Sequence, residues 1–133
     1  MINAAELRLG NYLLQKVAAK ISTVRCNYGH FDLMTKDGAV HLYPLVLKPE
    51  LLEKCGFKEN KEYPLLPQAR ELKLTLPVNG SGVNEVVAYV KNNGECFGRA
   101  VVNAIPVSNN IFNVHSLQNL YFALTGQELE IEL

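Results

Sequence analysis

The fold is predicted most directly by residues 83–107, which read VNEVVAYVKNNGECFGRAVVNAIPV. Valine and aromatic residues fill this stretch, which is typical of β-strands. The turn residues Asn92-Asn93-Gly94 divide it into a strand over residues 83–91 and a longer return strand over residues 95–107. Residues 72–78 precede it and alternate apolar with polar or proline positions, the period of a half-buried strand. The C-terminal half therefore predicts a three-stranded antiparallel unit.

Toward the N-terminus, residues 10–44 predict a second antiparallel unit. Gly10-Asn11 is a turn signal that leads into one strand, and residues 21–26 carry the β-branched side chains of the next. Residues 30–35 alternate in polarity, and Asp37-Gly38 is a strong hairpin signal before the return strand. These signals predict a meander of about four strands that curls into a small SH3-like barrel.

A short middle helix is predicted over residues 49–55. Pro49 fits the first helical position, where its missing N–H is not needed. Gly56 fits a left-handed C-terminal cap, after which Phe57 packs back on the last turn.

A closing helix is predicted over residues 116–125. Ser116 is its expected N-cap and Gly126 its expected stop. After it, residues 128–133 alternate strictly between glutamate and an apolar residue, which predicts a final strand with the glutamates in water. The apolar residues of the helix recur at i, i+3, i+4 and i+7 on one face; they are Leu117, Leu120, Tyr121 and Leu124.

Together these elements predict an α+β protein that is mainly antiparallel β. It has an N-terminal SH3-like, barrel-like meander, a short middle helix, and a C-terminal sheet closed by a short helix and a final strand. The 133 residues suit one domain, 1–133. Within it, residues 1–60 hold the meander and middle helix, and residues 61–133 hold the sheet with the C-terminal helix and strand. Hydrophobic residues at 48% and charged residues at 20% argue against disorder.

Charge is balanced overall but unevenly placed. The 13 basic and 13 acidic residues cancel, which argues against a protein that lives by holding nucleic acid phosphates. Residues 1–25 are nevertheless basic, whereas residues 100–133 carry glutamates and no Lys or Arg. We expect two solvated surfaces that touch if the termini meet. The alternative is a nucleic-acid surface of basic residues interleaved with aromatics, formed by Arg8, Tyr12, Lys16, Lys20, Arg25 and Tyr28.

The sequence predicts a cytoplasmic protein that does not cross a membrane. Its start lacks the basic and apolar regions of a signal peptide. No apolar stretch approaches the ~18 residues of a membrane span. Three widely spaced cysteines, Cys26, Cys55 and Cys96, do not form a disulfide framework, so we expect reduced thiols.

Candidate chemistry is sparse, and we predict no enzyme. Cys26, His30 and Asp32 supply the residue types of a nucleophile, base and orienter, but no oxyanion-hole signature accompanies them. Cys26 and His30 also supply only two of the four ligands of a closed zinc site. Gly80-Ser81-Gly82 lacks the lysine and following helix of a phosphate loop. We therefore predict no catalytic, metal or cofactor-binding residues and no cofactor.

The closing helix has a second face that offers a different role. His115, Gln118, Asn119 and Phe122 share this side, and we call it the polar helix face. One interpretation is an interaction surface for a partner or for a second copy of the chain. The other is that the leucine face docks on the sheet and Phe122 completes the core.

Three segments resemble a family of short, uncharacterised proteins found in prophages and mobile elements of gut anaerobes. The family shows LRxGN near its start, PLxLxxExLxKxGF in its middle and HxLQNLYFALTG near its end. Pro49 stands where the family often has Thr or Glu, which should strengthen the helix start. The family has no known activity, so the resemblance implies only a bacterial or phage cytoplasmic setting. The matching segments are ELRLGNYL (6–13), PLVL (44–47) with ELLEKCGF (50–57), and VHSLQNLYFALTG (114–126).

These observations predict a non-catalytic accessory or protein-interaction protein of phage or mobile-element type. Its partner is a protein that the sequence does not identify, or a second copy of the chain. The first alternative is a small nucleic-acid-binding module that uses the N-terminal basic and aromatic strands. The second is an enzyme with a Cys/His site.

Overall fold

The computed structural model describes residues 7–17, 19–30, 41–60, 69–77, 82–102 and 105–132. Over these ranges the α+β class, with mostly antiparallel strands, is confirmed. The strands belong to two open sheets, joined and covered by helices and loops. In chain order the elements are β1 (Tyr12–Val17), β2 (Lys20–Arg25), β3 (His41–Pro44), α1 (Pro49–Lys54), β4 (Lys58–Asn60), β5 (Ala69–Thr75), β6 (Glu85–Lys91), β7 (Cys96–Val102), β8 (Ile105–Pro106) and α2 (Val114–Thr125).

The N-terminal sheet has the order β2-β1-β3. β1 and β2 form the expected antiparallel hairpin, but β3 pairs with β1 on its other side. The described strands therefore form an open sheet with β1 at its centre, and not the predicted meander closed into a barrel. His30 lies in a helical turn at residues 28–30 and does not begin a strand. The Asp37-Gly38 hairpin falls outside the described residues.

The C-terminal sheet has five antiparallel strands in the order β4-β5-β6-β7-β8. The three predicted strands form its centre. The single return strand predicted over residues 95–107 is wrong, because β7 ends at Val102 and β8 turns back along it. Pro106 is tolerated in β8 because this strand is short and exposed. The short polar strand β4 carries no apolar alternation that would have predicted it.

The main core lies between one face of the five-stranded sheet and the elements packed on it. Leu72 and Leu76 are buried as the alternation predicts, and Leu117 of α2 packs in the same core. β6 is buried on both faces, so its core side belongs to this cluster while Tyr89 belongs to another. A separate small core under the N-terminal sheet contains Leu7, Leu13, Cys26 and Leu42.

Residues 111–114 tie the two sheets together through the backbone. Ile111 exchanges hydrogen bonds of 2.7 and 2.8 Å with Gly98 of β7. The next residue, Phe112, accepts from the N–H of Leu47 at 3.0 Å. The N–H of Val114 then donates to the carbonyl oxygen of Leu45 at 2.8 Å. α2 therefore starts from a segment that is bonded on both sides.

Both helix ends confirm the predicted glycine caps. After α1, Gly56 adopts φ 95°, and the N–H of Phe57 donates to the carbonyl of Leu52 at 3.0 Å, which is the Schellman pattern. α2 ends at Gly126 with φ 72°. The predicted start of α2 is wrong by two residues. Its N-cap is Asn113, whose side chain accepts from the N–H of Ser116, so Ser116 is inside the first turn.

The predicted final strand does not form over residues 127–132. The burial nevertheless alternates as expected, because Leu129 is buried and Ile131 half-buried while the glutamates are exposed. One backbone hydrogen bond, from Glu132 N–H to the carbonyl of Lys54 at 3.1 Å, holds this tail beside α1. The tail meets a helix end, which offers no continuous ladder of partners for a strand.

Candidate functional site

Arg8 connects the two ends of the described chain. Its Nη1 donates to Oε1 of Glu128 at 2.7 Å, and its Nε donates to Oδ1 of Asn119 at 2.8 Å. Its guanidinium carbon also lies 4.4 Å from the centre of the Phe122 ring, a cation–π contact. The expectation that the basic N-terminal and acidic C-terminal regions touch is confirmed by this ion pair.

Gln118 satisfies the backbone of the turn that precedes β1. Gly10 has φ 89°, and Asn11 N–H donates to Arg8 O at 3.2 Å, as in a type II turn. From α2, the side chain of Gln118 accepts from the N–H of Tyr12 at 2.8 Å and donates to the carbonyl of Gly10 at 3.3 Å. Two of the three segments that carry the family resemblance therefore contact each other through this network.

The polar helix face is used mostly inside the molecule. His115 and Gln118 are only 0% and 1% exposed, so they do not belong to an accessible surface. Asn119 is half-buried and bonded to Arg8 and Asn11. Phe122 is 40% exposed beneath the Arg8 guanidinium. The structure therefore does not bring these four residues together as an exposed surface.

The six residues of the expected nucleic-acid surface are divided by the register of the N-terminal sheet. Tyr12 lies opposite Arg25, and alternation places Lys16 on the same face as both. Lys20 lies opposite Val17 and so falls on the other face. Arg8 is engaged with Glu128, whereas Tyr28 is 79% exposed in the helical turn after β2.

One face of the N-terminal sheet combines exposed apolar and basic side chains, and we call it the outer face. Ile21 is 61% exposed near the start of the edge strand β2, opposite Lys16, and Tyr43 on β3 is 36% exposed. Residues 7–30 contain no Asp or Glu, so no acidic side chain from this segment neutralises the face. The outer face consists of Leu14, Lys16, Ile21, Thr23, Arg25 and Tyr43.

The Cys26 and His30 pair is arranged unlike an activated nucleophile. Cys26 is only 3% exposed, and burial raises the pKa of its thiol, which disfavours the reactive thiolate. The Nδ1 of His30 accepts from the backbone N–H of Asn27 at 3.1 Å, so this nitrogen is occupied by the turn itself. Asp32, the expected orienter, lies outside the described residues.

The other thiols have the same character. Burial raises the pKa of Cys55 to about 11 and also raises the pKa of Cys96. Within the described ranges, no three His, Cys, Asp or Glu side chains come together in a group that suits a metal ion. None of the helices in the described part of the chain is long and apolar enough to cross a membrane.

A row of aromatic rings crosses the five-stranded sheet on the face away from the main core, which we call the aromatic face. Tyr89 is buried, and its ring centre lies 5.1 Å from that of Phe97. Phe97 in turn lies 6.5 Å from Phe112, which is 57% exposed. A cleft of about 280 Å³ opens beside these outer rings, lined by Val46, Lys91, Glu95, Cys96, Phe97 and Phe112.

Sequence reasoning did not single out this row, although part of the signal was present. Counting equally outward from Asn93 places Tyr89 opposite Phe97 and Val87 opposite Arg99, as the structure has them. The approach of Phe112 was not predictable in this way, because it depends on the return of residues 105–112 along β7.

No family model matched the sequence, and no curated protein or solved structure matched it either.

Proposed function

We propose that this protein is a non-catalytic accessory protein that binds another protein through the outer face of its N-terminal sheet. The observation that carries the proposal is the exposure of Ile21, 61%, on a face that also presents Tyr43 and two cations. An isolated exposed isoleucine is ordinary, but one grouped with an aromatic and basic residues on a sheet is typical of a contact surface.

The composition of the outer face indicates the chemistry of the partner. Ile21, Leu14 and Tyr43 would contact apolar side chains. Lys16 lies directly opposite Ile21, and Arg25 lies at the other end of the face, about 13 Å away along β1 at the usual strand rise. A partner with an apolar centre and acidic residues at its rim would match this pattern, since charge complementarity fixes orientation and excludes wrong partners.

The buried thiols support a role without catalysis. All three cysteines have pKa values raised by burial, whereas a cysteine nucleophile needs a lowered pKa and access to substrate. The sequence resemblance supports a phage or mobile-element setting in a bacterial cytoplasm, and we propose that setting for the protein.

Affinity capture with matched variants tests the proposal. Tagged wild-type protein, Ile21→Glu and Ile105→Glu would be used in cells that encode the protein. Ile105 is 65% exposed on the other sheet, so both variants replace an exposed isoleucine by a charge. We expect the same bound protein with wild type and Ile105→Glu, and about tenfold less with Ile21→Glu, since burying this side chain is worth about 1–2 kcal/mol. Equal recovery by the two variants would contradict the proposal, and a doubled mass in solution would identify a second copy as the partner.

A second candidate function is binding of single-stranded nucleic acid by the same outer face. The observation that favours it is the common face of Tyr12, Lys16 and Arg25 in a segment without acidic residues. Basic residues beside aromatic rings are the elements of such sites. Tyr12 is already stacked under Arg25, whose guanidinium carbon lies 4.9 Å from its ring centre, which leaves Tyr43 as the accessible ring of the face.

The register supplies a matched test for this candidate. Lys16→Glu and Lys20→Glu make the same charge change in one hairpin, but only Lys16 lies on the outer face. Binding to a labelled single-stranded oligonucleotide should weaken about tenfold in Lys16→Glu and much less in Lys20→Glu, and it should fall steeply with salt. An absence of binding at low salt, or an equal effect of the two variants, would argue against this function.

A further inference from the structure

Arg99 has a side-chain donor on the aromatic face without a partner in the part of the chain that the structure describes. It is half-buried on β7, and its Nε is fully enclosed without a hydrogen-bond partner among the described residues. No carboxylate in the described ranges forms an ion pair with it. An enclosed donor without an acceptor is costly, so the Nε–H of Arg99 indicates a missing partner.

Tyr89 places a second unpartnered group next to it. The tyrosine is 0% exposed, and its hydroxyl has no hydrogen-bond partner within the described part of the chain. Buried hydroxyls are nearly always bonded. The guanidinium carbon of Arg99 lies 5.2 Å from the centre of the Tyr89 ring, so the side chains that carry these two groups are neighbours.

The acidic residues of this face are already held elsewhere. Glu71 and Glu85 each lie 3.8 Å from the Nζ of Lys73. Lys73 is opposite Val87, which is opposite Arg99, so the two cations lie on either side of Val87 in one row across the sheet. Lys73 is therefore the cation next to both carboxylates, including Glu71, which lies opposite Tyr89, and neither carboxylate pairs with Arg99.

We infer that Arg99 and Tyr89 form a binding site for an anionic oxygen group, a carboxylate or a phosphate. The Arg99 guanidinium and the Tyr89 hydroxyl both donate to the oxyanion, and the fork of an arginine suits either anion. The site lies on the five-stranded sheet and is separate from the outer face of the N-terminal sheet. The test of this anion site is therefore independent of the test of the proposed function.

The side-chain Nε–H of Arg99 gives a direct readout. Its ¹H–¹⁵N signal in the full-length protein would be followed while sodium phosphate, sodium acetate or sodium chloride is added. We expect a saturable shift with phosphate or acetate, with a dissociation constant on the order of 1 mM for one charge-assisted contact. Whichever of the two binds more tightly identifies the anion, and chloride at equal ionic strength controls for screening.

Two variants and one matched control complete the test. Tyr89→Phe removes only the hydroxyl and should weaken binding about fivefold, and Arg99→Lys keeps the charge but loses the fork and should weaken it about tenfold. Both are measured through neighbouring amide signals. Arg25→Lys makes the same change at an exposed arginine on the other sheet and should leave the affinity unchanged.

Two kinds of result would contradict an anion site at Arg99 and Tyr89. An Arg99 signal that moves linearly up to about 50 mM, or no more than that of Arg25, would overturn the inference, because a specific site saturates. Equal shifts with chloride would also overturn the inference. Ordered water would then be the partner of the Arg99 Nε–H and the Tyr89 hydroxyl.

Discussion

At the scale of single residues, one buried amide decides how the two ends of the chain meet. Gln118 is a donor and an acceptor at once, and the turn before β1 presents one N–H and one carbonyl to it. A hydrophobic residue there would fill the same space but leave the Tyr12 N–H without its acceptor and the Gly10 carbonyl with only a 3.4 Å bond from Arg25 Nε. An unpaired buried group costs about 1–3 kcal/mol. The polar side of α2 is therefore as much a packing surface as the leucine side.

Replacing Gln118 by leucine should consequently be among the most damaging conservative changes in α2. We expect Gln118→Leu to lower the free energy of unfolding by about 2 kcal/mol, because it removes the bonds to Tyr12 and Gly10 and leaves the Tyr12 N–H without its acceptor. Urea denaturation measures this. Gln127→Leu makes the same substitution at an exposed position and should change stability by less than about 0.5 kcal/mol. Similar values for the two would mean that the amide network contributes little.

Sequence reasoning at this scale identified the right residues and gave two of them the wrong surroundings. Gln118 and His115 were placed on an exposed face because helical periodicity separates apolar from polar sides and says nothing about what covers the polar side. For Gln118 that cover is the turn at residues 8–11, more than 100 positions away in sequence. Arg8 was likewise interpreted as a free cation of a nucleic-acid surface. The expected contact between the basic N-terminal and acidic C-terminal regions already indicated a glutamate near the C-terminus as its partner.

At the scale of elements, α2 is capped at both of its ends. Asn113 bonds the N–H of Ser116 at one end, and Gly126 reverses the chain with φ 72° at the other. Local signals of this kind are readable from sequence, which is why both glycine caps were predicted. Strand order is not, since the pairing of β3 with β1 joins residues that are ~30 positions apart and no local rule selects it.

Gly126 offers a clean test of the cap. A Cβ at this position would meet no atom within 4 Å, so a substitution is penalised only by its left-handed backbone. Gly126→Ala should cost about 1 kcal/mol, which lowers the melting temperature by roughly 4 °C in a domain of this size. Gly126→Asn should recover part of the loss, because asparagine tolerates this conformation better. Equal melting temperatures for the glycine and alanine forms would show that α2 does not need this cap.

At the scale of the whole molecule, the main core joins α1, the five-stranded sheet, α2 and the C-terminal tail. Cys55 at the end of α1 packs in it with residues of β5, β6, β7 and α2, and the tail residue Leu129 closes the same cluster. The alternation of this tail correctly predicted which of its side chains are buried, but it wrongly predicted a strand. Alternating burial requires only that one side of the tail packs on the protein, whereas a strand also requires a free sheet edge to pair with. The thiol of Cys55 therefore reports on the packing of the molecule as a unit.

The pKa of that thiol predicts a loss of stability at alkaline pH. Its ordinary value is 9.0, and burial raises the pKa of Cys55 to about 11 in the folded protein. Between these values the unfolded chain has already lost the proton that the folded chain retains, so the free energy of unfolding falls as pH rises from about 9 to about 11. A shift of about two pKa units corresponds to about 2–3 kcal/mol over that window. The raised pKa values of Cys26 and Cys96 act in the same direction.

Urea midpoints are measured at about pH 7.5 and about pH 10.5 for wild type and for Cys55→Ala. The difference between the two proteins separates the titration of Cys55 from that of lysines and tyrosines. Cys55→Ala removes the titrating group, so its stability at neutral pH should be lower but its further loss at alkaline pH smaller than in wild type. Alkylation of Cys55 should also require opening of the main core, and its rate should therefore follow the unfolding equilibrium in added urea. A Cys55→Ala protein with the full wild-type loss would place the alkaline sensitivity on other groups, and fast alkylation without urea would mean that the core opens locally at α1.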